Sequence, residues 1–421
     1  MTFASLKFFN YRLWFIGALV ANTGSWIQRL GQDWLVLRVL TQTNALAPAI
    51  VTALQFLPVI ALSAYAGVLA DRLPRRKLLM FTQGGQGVLA LALGVMTLTG
   101  VVQLWHVYVF ALLLGCVTAI DNPVRQTFVA EMVPTPMLPN AVGLNSASFN
   151  SSRLIGPALA GLLIQAFDCG VTFVINGCAF AATILALLLM RSGQLYPVPK
   201  AERHKGQIGE AIRYVRGRRD LLMIFAIMAV MSCFAFNTQL TNSLMATKVF
   251  DRGAGQFGLI SSVFAIGALL GALMAARRRH PRLRLILTAV FCFGLAATLS
   301  ALSPNYVTFC ISGILVGFCM LTTMTGANST IQISTTPEMR GRVIALYLMM
   351  FQGVTPIGSL LIGVIAQHWS TRWSIGIGAV AGLVASLTAV WWAHRNWHVT
   401  VHLDQMLPPH ITIEQPTDIV R

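Results

Sequence analysis

Charge is scarce in this chain. Of its 421 residues only 10% are Asp, Glu, Lys or Arg, whereas a soluble globular protein carries about 25%. A surface so poor in charge does not face water over most of its area, which excludes a soluble enzyme, a secreted disulfide protein and a disordered chain. Acids are scarcer still: 13 stand against 30 Lys and Arg, a formal net charge of +17. That excess does not mark a nucleic-acid partner, because the basic residues fall between apolar runs, without aromatic interleaving and without a basic domain. Paired cysteines are absent too. Cys116, Cys169, Cys178, Cys233, Cys292, Cys310 and Cys319 lie singly in or beside apolar runs, with neither Cys-x-x-Cys nor metal spacing, as membrane-core filler would. His394, His398 and His402 repeat every four residues, but no acid or thiol completes a metal site. The phosphate-cradling pattern G-x-x-x-x-G-K-[ST] is missing, so ATP is not the expected energy source. No catalytic constellation stands out, and no cofactor is implied.

What fills the chain is apolar sequence: 56% of residues are hydrophobic and the mean hydropathy is +0.70. At about 20 apolar residues per membrane crossing there is room for roughly twelve helices. Candidate spans lie near 11–39, 46–70, 78–99, 105–128, 138–166, 170–190, 220–247, 256–276, 284–302, 305–327, 341–367 and 373–394. No small-residue cleavage site follows the first run, so it reads as a retained helix rather than a signal peptide. With the N-terminus in the cytoplasm, the inner loops hold Arg72, Arg75, Arg76, Lys77, the basic run Arg191 to Arg219, the cluster Arg277 to Arg284, Arg340 and Arg342; the outer loops hold only Arg38, Lys248, Arg252 and Arg372. This bias places both termini in the cytoplasm. The polar stretch 191–219, with Pro197, Pro199, Ile212, Tyr214 and Val215 among its cations, reads as a linker ending in a basic amphipathic helix on the inner surface. The chain therefore divides into a six-span half (1–190), the linker (191–219), a second six-span half (220–395) and a cytoplasmic tail (396–421).

The halves repeat. A shift of 202 positions aligns Leu144 with Leu346, Phe149 with Phe351, Ile155 with Ile357, Gly156 with Gly358, Leu159 with Leu361, Gly161 with Gly363 and Gln165 with Gln367. This pairs span five with span eleven in one orientation. Parallel six-helix halves around a central cavity describe a secondary transporter, with sites near the midplane.

Polar residues inside apolar spans point to the site. Span one carries Gln28, Arg29, Gln32 and Asp33 beside Trp26 and Trp34. Arg29 and Asp33, four apart, share a face: either they neutralise each other, or Asp33 is a proton carrier whose charge a movable cation controls. Arg153 stands near the middle of span five, where an unpaired charge costs at least about 3 kcal/mol. It faces the interior, either toward substrate and coupling groups or in a structural ion pair. Asp121 and Arg125 end span four, with Glu131 beyond; a structural network with Arg72, Arg75 or Arg76 is expected there, and a proton site at Asp121 is the alternative. Asn145 and Asn150 in span five, Asn237, Gln239 and Asn242 in span seven and Gln352 in span eleven supply neutral polar groups for a cavity, or hydrogen bonds between helices. With Phe234, Phe236, Met324, Met349 and Met350 they suit large, partly apolar substrates.

The loop after span two, Gly67-Val68-Leu69-Ala70-Asp71-Arg72-Leu73-Pro74-Arg75-Arg76-Lys77, resembles the G-x-x-x-D-R-x-G-R-R-K gate motif of the major facilitator superfamily, with Pro74 in place of a glycine. Gly67 permits close helix approach, and Asp71 suits a helix N-terminus such as the start of span eleven. The corresponding loop 275–284 keeps the cations but lacks the acid. Span five, with Ser152, Gly156, Pro157, Ala160 and Gly161, resembles the superfamily's antiporter motif, though it also serves simple helix packing. The stretches Asn22 to Leu37, Asp121 to Glu131 and Pro337 to Val343 resemble the bacterial exporter branch called transmembrane secretion effectors, which includes enterobactin exporters and macrolide efflux proteins.

That resemblance implies an all-α polytopic membrane protein of twelve helices, working by alternating access in the bacterial inner membrane, and not an enzyme. It implies a proton-coupled antiporter, a monomer among lipids, exporting small amphiphilic compounds such as drugs, siderophores or secondary metabolites. A nutrient symporter or a lysolipid flippase of the same fold is the alternative, and a transporter-like receptor without flux is a third.

Overall fold

A computed structural model describes residues 3–42, 44–196, 207–276, 283–397, 401–404 and 410–413. Helices α1 (Phe9–Trp34), α2 (Leu46–Arg72), α3 (Arg75–Leu98), α4 (Leu104–Met132), α5 (Leu138–Ala166) and α6 (Cys169–Leu189) precede a short α7 (Gln207–Gly217). Then follow α8 (Arg219–Phe234), α9 (Thr238–Leu244), α10 (Ala254–Ala276), α11 (Leu283–Ala301), α12 (Tyr306–Ser334), α13 (Pro337–His368) and α14 (Thr371–Trp397). A small antiparallel hairpin pairs β1 (Val401–Asp404) with β2 (His410–Ile413).

Long apolar runs become helices because a helix satisfies its own backbone where lipid offers no hydrogen bonds. Among the described residues, nine helices are long and apolar enough to cross a membrane, the pair α8–α9 counting as one. The apolar stretch of α2 runs over Leu46–Leu62. Helices α1 and α5 are equally long but carry the polar residues singled out above. Large apolar side chains point outward: Phe81 is 77% exposed, Ile311 60% and Leu387 58%. Such a surface is stable against lipid and not against water. The protein is an all-α polytopic membrane protein.

Within the first half, α1 packs on α5 and α6, α2 on α4, and α3 on α4 and α6; within the second, α10 packs on α12, α11 on α12 and α14, and α8 on α13 and α14. The most extensive contacts between the halves are those of α5 with α10 and of α2 with α13. The repeated glycines sit at these seams. Gly156 lets α5 close on Trp26 and Thr23 of α1, and Gly358 lets α13 close on Cys233 of α8. Gly161 abuts Ala254 and Gly255 of α10, while Gly363 abuts Ala45 and Ala49 of α2. Residues matched by the shift of 202 thus occupy equivalent places in the two halves.

Helix α1 and the α8–α9 pair are also alike in shape. Both run into π-helical turns, Leu35–Leu40 and Met245–Val249. The second is additionally broken over Ala235 to Asn237, where Ala235 and Phe236 both donate to the Met231 carbonyl and the Asn237 amide donates to the carbonyls of Ser232 and Cys233. An irregular backbone at this depth is tolerated where protein groups satisfy it or where it lines a cavity.

The two ends of the bundle differ. One carries Arg75, Arg76, Lys77, Arg191, Arg213, Arg216, Arg340 and Arg342; the other carries Arg38, Lys248, Arg252 and Arg372. At this second end the halves are sealed. Arg38 pairs with Asp251 at 2.6 Å and donates to the Thr247 carbonyl at 3.0 Å. Trp34 stacks on Phe257, the Gln367 amide oxygen accepts from Ala45 N at 2.9 Å, and Ser359 reaches the Ala49 carbonyl at 3.3 Å. At the basic end no hydrogen bond or ion pair joins the halves among the described residues. The amphipathic α7 lies there, burying Ala211 and Val215 and pairing Glu210 with Arg342 at the start of α13.

Candidate functional site

Between the halves lies a cavity of about 350 Å³, within the range that holds a drug-sized molecule. Helix α1 enters it with Trp26, Arg29, Gln32 and Asp33; α2 with Thr52, Gln55 and Phe56; α5 with Phe149, Arg153 and Pro157. The second half contributes Phe236, Asn237, Thr238, Gln239 and Asn242 from the broken α8–α9, Phe264 from α10, Met320 and Met324 from α12, and Phe351, Gln352 and Thr355 from α13. The spacing of α1 explains its share: positions 26, 29 and 33 fall on one helical face, with 32 beside them. The opposite face turns to α6, where Gly24 and Gly31 let Asn176 and Thr172 approach.

The charged residues of this cavity all come from the first half. Arg29 extends into the space and is exposed there, Arg153 is half-buried, and Asp33 is buried at 8% exposure. Both guanidinium groups lie over one indole: Arg29 at 5.0 Å and Arg153 at 5.8 Å from the Trp26 ring centre. Phe149 meets the same indole edge-on at 6.0 Å. Asp33 turns instead to the other half, accepting a hydrogen bond from Gln239 Nε2 at 3.1 Å. Gln55 Nε2 approaches Gln32 Oε1 at 3.5 Å, and Asn242 Oδ1, buried, has no partner among the described residues. The cavity therefore offers two cations, one carboxylate that bridges the halves, several amides, and an apolar wall of rings and thioethers.

Most polar residues singled out in the sequence meet here: Arg29, Gln32, Asp33, Arg153, Asn237, Gln239, Asn242 and Gln352. Others lie elsewhere. Gln28 is buried against α6, accepting from the Asn176 amide. Asn145 and Asn150 do not line the cavity, and Asn150 donates to its own helix at the Ser146 carbonyl. Gly156, Pro157 and Gly161 lie along the seams that α5 makes with α1 and α10, with Pro157 also at the cavity wall.

Asp121 stands apart, at 2% exposure between α3 and α4. It accepts from Thr82 Oγ1 and Gln83 Nε2, both at 2.7 Å, and from Arg125 at 3.0 and 3.1 Å. Arg125 also reaches Asn22 at 3.3 Å. The sequence leads one to expect a network at this place, but its cation is Arg125, one turn along the same helix. Arg75 pairs with Glu131, and Arg76 is held by Leu187 and Leu188 carbonyls and by Ser192. The side chains of Gly67, Asp71 and Arg72 lie outside the described residues, as do 277–282 of the corresponding loop, linker positions 197–206 and His398.

Sequence reasoning misses Thr52, Gln55 and Phe56, and the break in span seven. A lone glutamine in an apolar run is the available signal for the first group. For the break it is Asn237, whose amide can occupy the carbonyls that an interrupted helix leaves free.

Comparison with known proteins places the chain. It matches the transmembrane secretion effector family over residues 1–416. It is 26% identical to the staphyloferrin A transporter of Staphylococcus aureus over 364 residues, covering 85% of this chain and 89% of that one. It is 28% identical to the multidrug efflux pump Tap of Mycolicibacterium fortuitum over 363 residues, covering 83% and 87%. Among solved structures, a bacterial homologue of the human lysosomal transporter Spinster, in an inward-facing and occupied conformation, superposes with a TM-score of 0.73 at 11% identity, covering 91% of this chain and 97% of that one.

Proposed function

The chain belongs to the transmembrane secretion effector family of major facilitator transporters, and from that premise we propose that it exports small amphiphilic compounds by proton-coupled alternating access. It is a transporter and not an enzyme. The observation that carries the proposal is the bond from Gln239 to Asp33, the one carboxylate among the cavity-lining residues, which ties the two halves across the site.

The tie responds to charge. A hydrogen bond to a carboxylate is charge-assisted and roughly twice as strong as one to a neutral group. Ionised Asp33 therefore holds α1 to α9 in the present arrangement, and a proton on Asp33 loosens them. Given the charge bias of the loops, the sealed end faces outward and the basic end faces the cytoplasm. In this orientation Asp33 takes a proton when the outer side is open and the tie is broken, and gives it up inside as the tie forms. Substrate then enters from the cytoplasm, and its binding drives the cavity to open outward. The apolar wall of Phe236, Phe264, Met320, Met324 and Phe351 suits an apolar body, and polarizable thioethers adapt to varied shapes. The homologous multidrug efflux pump supports this direction of transport.

The test is flux in liposomes containing the purified protein, an internal pH dye and an imposed pH gradient, with a panel of amphiphilic drugs and siderophores. Proton movement opposite to the compound, lost in Asp33→Asn while binding persists, is the expected result. Movement in the same direction makes the protein a symporter. No compound-dependent proton movement, or normal pumping by Asp33→Asn, overturns the assignment.

A further inference from the structure

The cavity holds more positive than negative charge, and its cations are unspent. Among the described residues neither Arg29 nor Arg153 makes an ion pair or a hydrogen bond; each lies over the face of Trp26, and Arg29 interacts with Asp33 only through space. Arg12, Arg191, Arg252 and Arg395 likewise rest on ring faces, but none of these four lines the cavity, and several other arginines are engaged. Arg38, Arg75, Arg125, Arg218 and Arg342 each hold a carboxylate, and Arg76 and Arg372 hold backbone carbonyls. Asp33, the carboxylate four residues from Arg29, is engaged by Gln239 rather than by either guanidinium. A cation–π contact stabilises a guanidinium but occupies none of its five donors. Two donor forks stacked over one indole thus face the cavity without acceptors of their own.

We propose that Arg29 and Arg153 together form an oxyanion clamp over Trp26, and that the transported compound carries a carboxylate or comparable oxyanion on an apolar body. This rests on the reading of the central cavity as the transport site. The oxyanion lies between the two guanidinium groups, which suit planar, bidentate recognition of such groups. The apolar body lies across the cavity against Phe236, Met324 and Phe351. Asp33 opposes the clamp: its negative charge offsets part of the field of the two cations. Neutralising Asp33 therefore strengthens oxyanion binding, and it would weaken the binding of a cationic drug. The sign of that single effect separates the two substrate classes.

The experiment is equilibrium binding to the purified full-length protein in detergent, without any gradient. The probes are naphthoate, its uncharged amide, the matching naphthylmethylammonium ion, and lysophosphatidate as an oxyanion from a lipid. The expected result is that naphthoate binds more tightly than the amide or the ammonium. Its affinity falls about ten-fold in Arg29→Gln and in Arg153→Gln, recovers in part in Arg29→Lys, and rises several-fold in Asp33→Asn. Binding of lysophosphatidate but not naphthoate, with the same response to the variants, keeps the clamp and makes the oxyanion a lipid headgroup. Equal binding of all probes, or ammonium binding that is lost in Asp33→Asn, overturns the clamp. Gel-filtration and melting profiles matching wild type show that a variant has folded. Because no gradient is used, anion-selective binding without proton flux sinks the coupling mechanism alone, and flux without anion selectivity sinks the clamp alone.

Discussion

Helix α1 and the broken α8–α9 have nearly the same shape and unlike chemistry. Counted back from the π-helical turns that begin at Leu35 and Met245, Arg29 stands where the second half has Gln239, and Asp33 where it has Ser243. Trp26 likewise corresponds to Phe236, and Gln32 to Asn242. The first half thus brings charge to the cavity. The second brings an amide at one of those positions and, at the other, a fully buried serine bonded to its own helix at the Leu240 carbonyl. The repeat preserves packing, because both halves must close the same seams, while the chemistry of the cavity is free to diverge. A carrier with one titrating half can take up a proton on one side of the joint and substrate across both.

That asymmetry should appear most strongly at the paired positions themselves. Asp33→Asn is expected to abolish gradient-driven flux, whereas Ser243→Ala leaves it within about two-fold, since the serine's local bond is worth only about 1 kcal/mol; proteoliposome flux compares the two directly. Equal losses would mean that both halves take part in coupling.

The second-largest effect concerns stability. Asp121→Asn leaves the half-buried Arg125 without its counter-charge, a change that costs about 1–3 kcal/mol. A lower melting temperature is expected, with the proton-to-substrate ratio of the surviving protein unaltered. A changed ratio would move proton coupling from Asp33 toward Asp121.

The seams, in contrast, should respond alike from either half. Gly161→Val would press on the Ala254 carbonyl, and Gly363→Val on the Ala49 methyl, each overpacking by about 1–3 kcal/mol. Both are expected to unseat the sealed end and to raise cysteine labelling from that side by similar factors. A response from one half only would break the symmetry of the seams.

The smallest effect belongs to Arg38→Ala. Its partner Asp251 is 84% exposed, and such pairs contribute about 0–1 kcal/mol. Labelling at the sealed end should rise at most a few-fold. A larger change would make this pair a gate in its own right.

Much of the architecture is legible in the sequence. Charged residues inside apolar runs have nowhere to go but inward, so the composition of their own spans assigns Arg29, Asp33 and Arg153 to the interior. The matched glycines Gly156 with Gly358 and Gly161 with Gly363 are readable for a related reason: close helix approach demands a small residue whatever its neighbours are. Neutral polar residues are harder to place. Gln28 satisfies itself with Asn176 and Asn150 with its own backbone, while Gln32 and Gln239 reach the cavity. Nothing local separates these cases, because an amide in a membrane needs a partner and accepts one from any direction.

Sequence by itself determined that this chain is a helical membrane protein, where its apolar runs lie, which positions repeat and which charges turn inward. Those properties follow from the cost of exposing backbone or charge to lipid, which each segment meets on its own. Tertiary structure alone decided that Asp33 bonds to Gln239 rather than to Arg29, that two arginines share Trp26, that Asp121 takes Arg125, and that one end is sealed. Each of these is a choice among partners that packing brings within reach, and the choice is made by a geometry that no single helix contains.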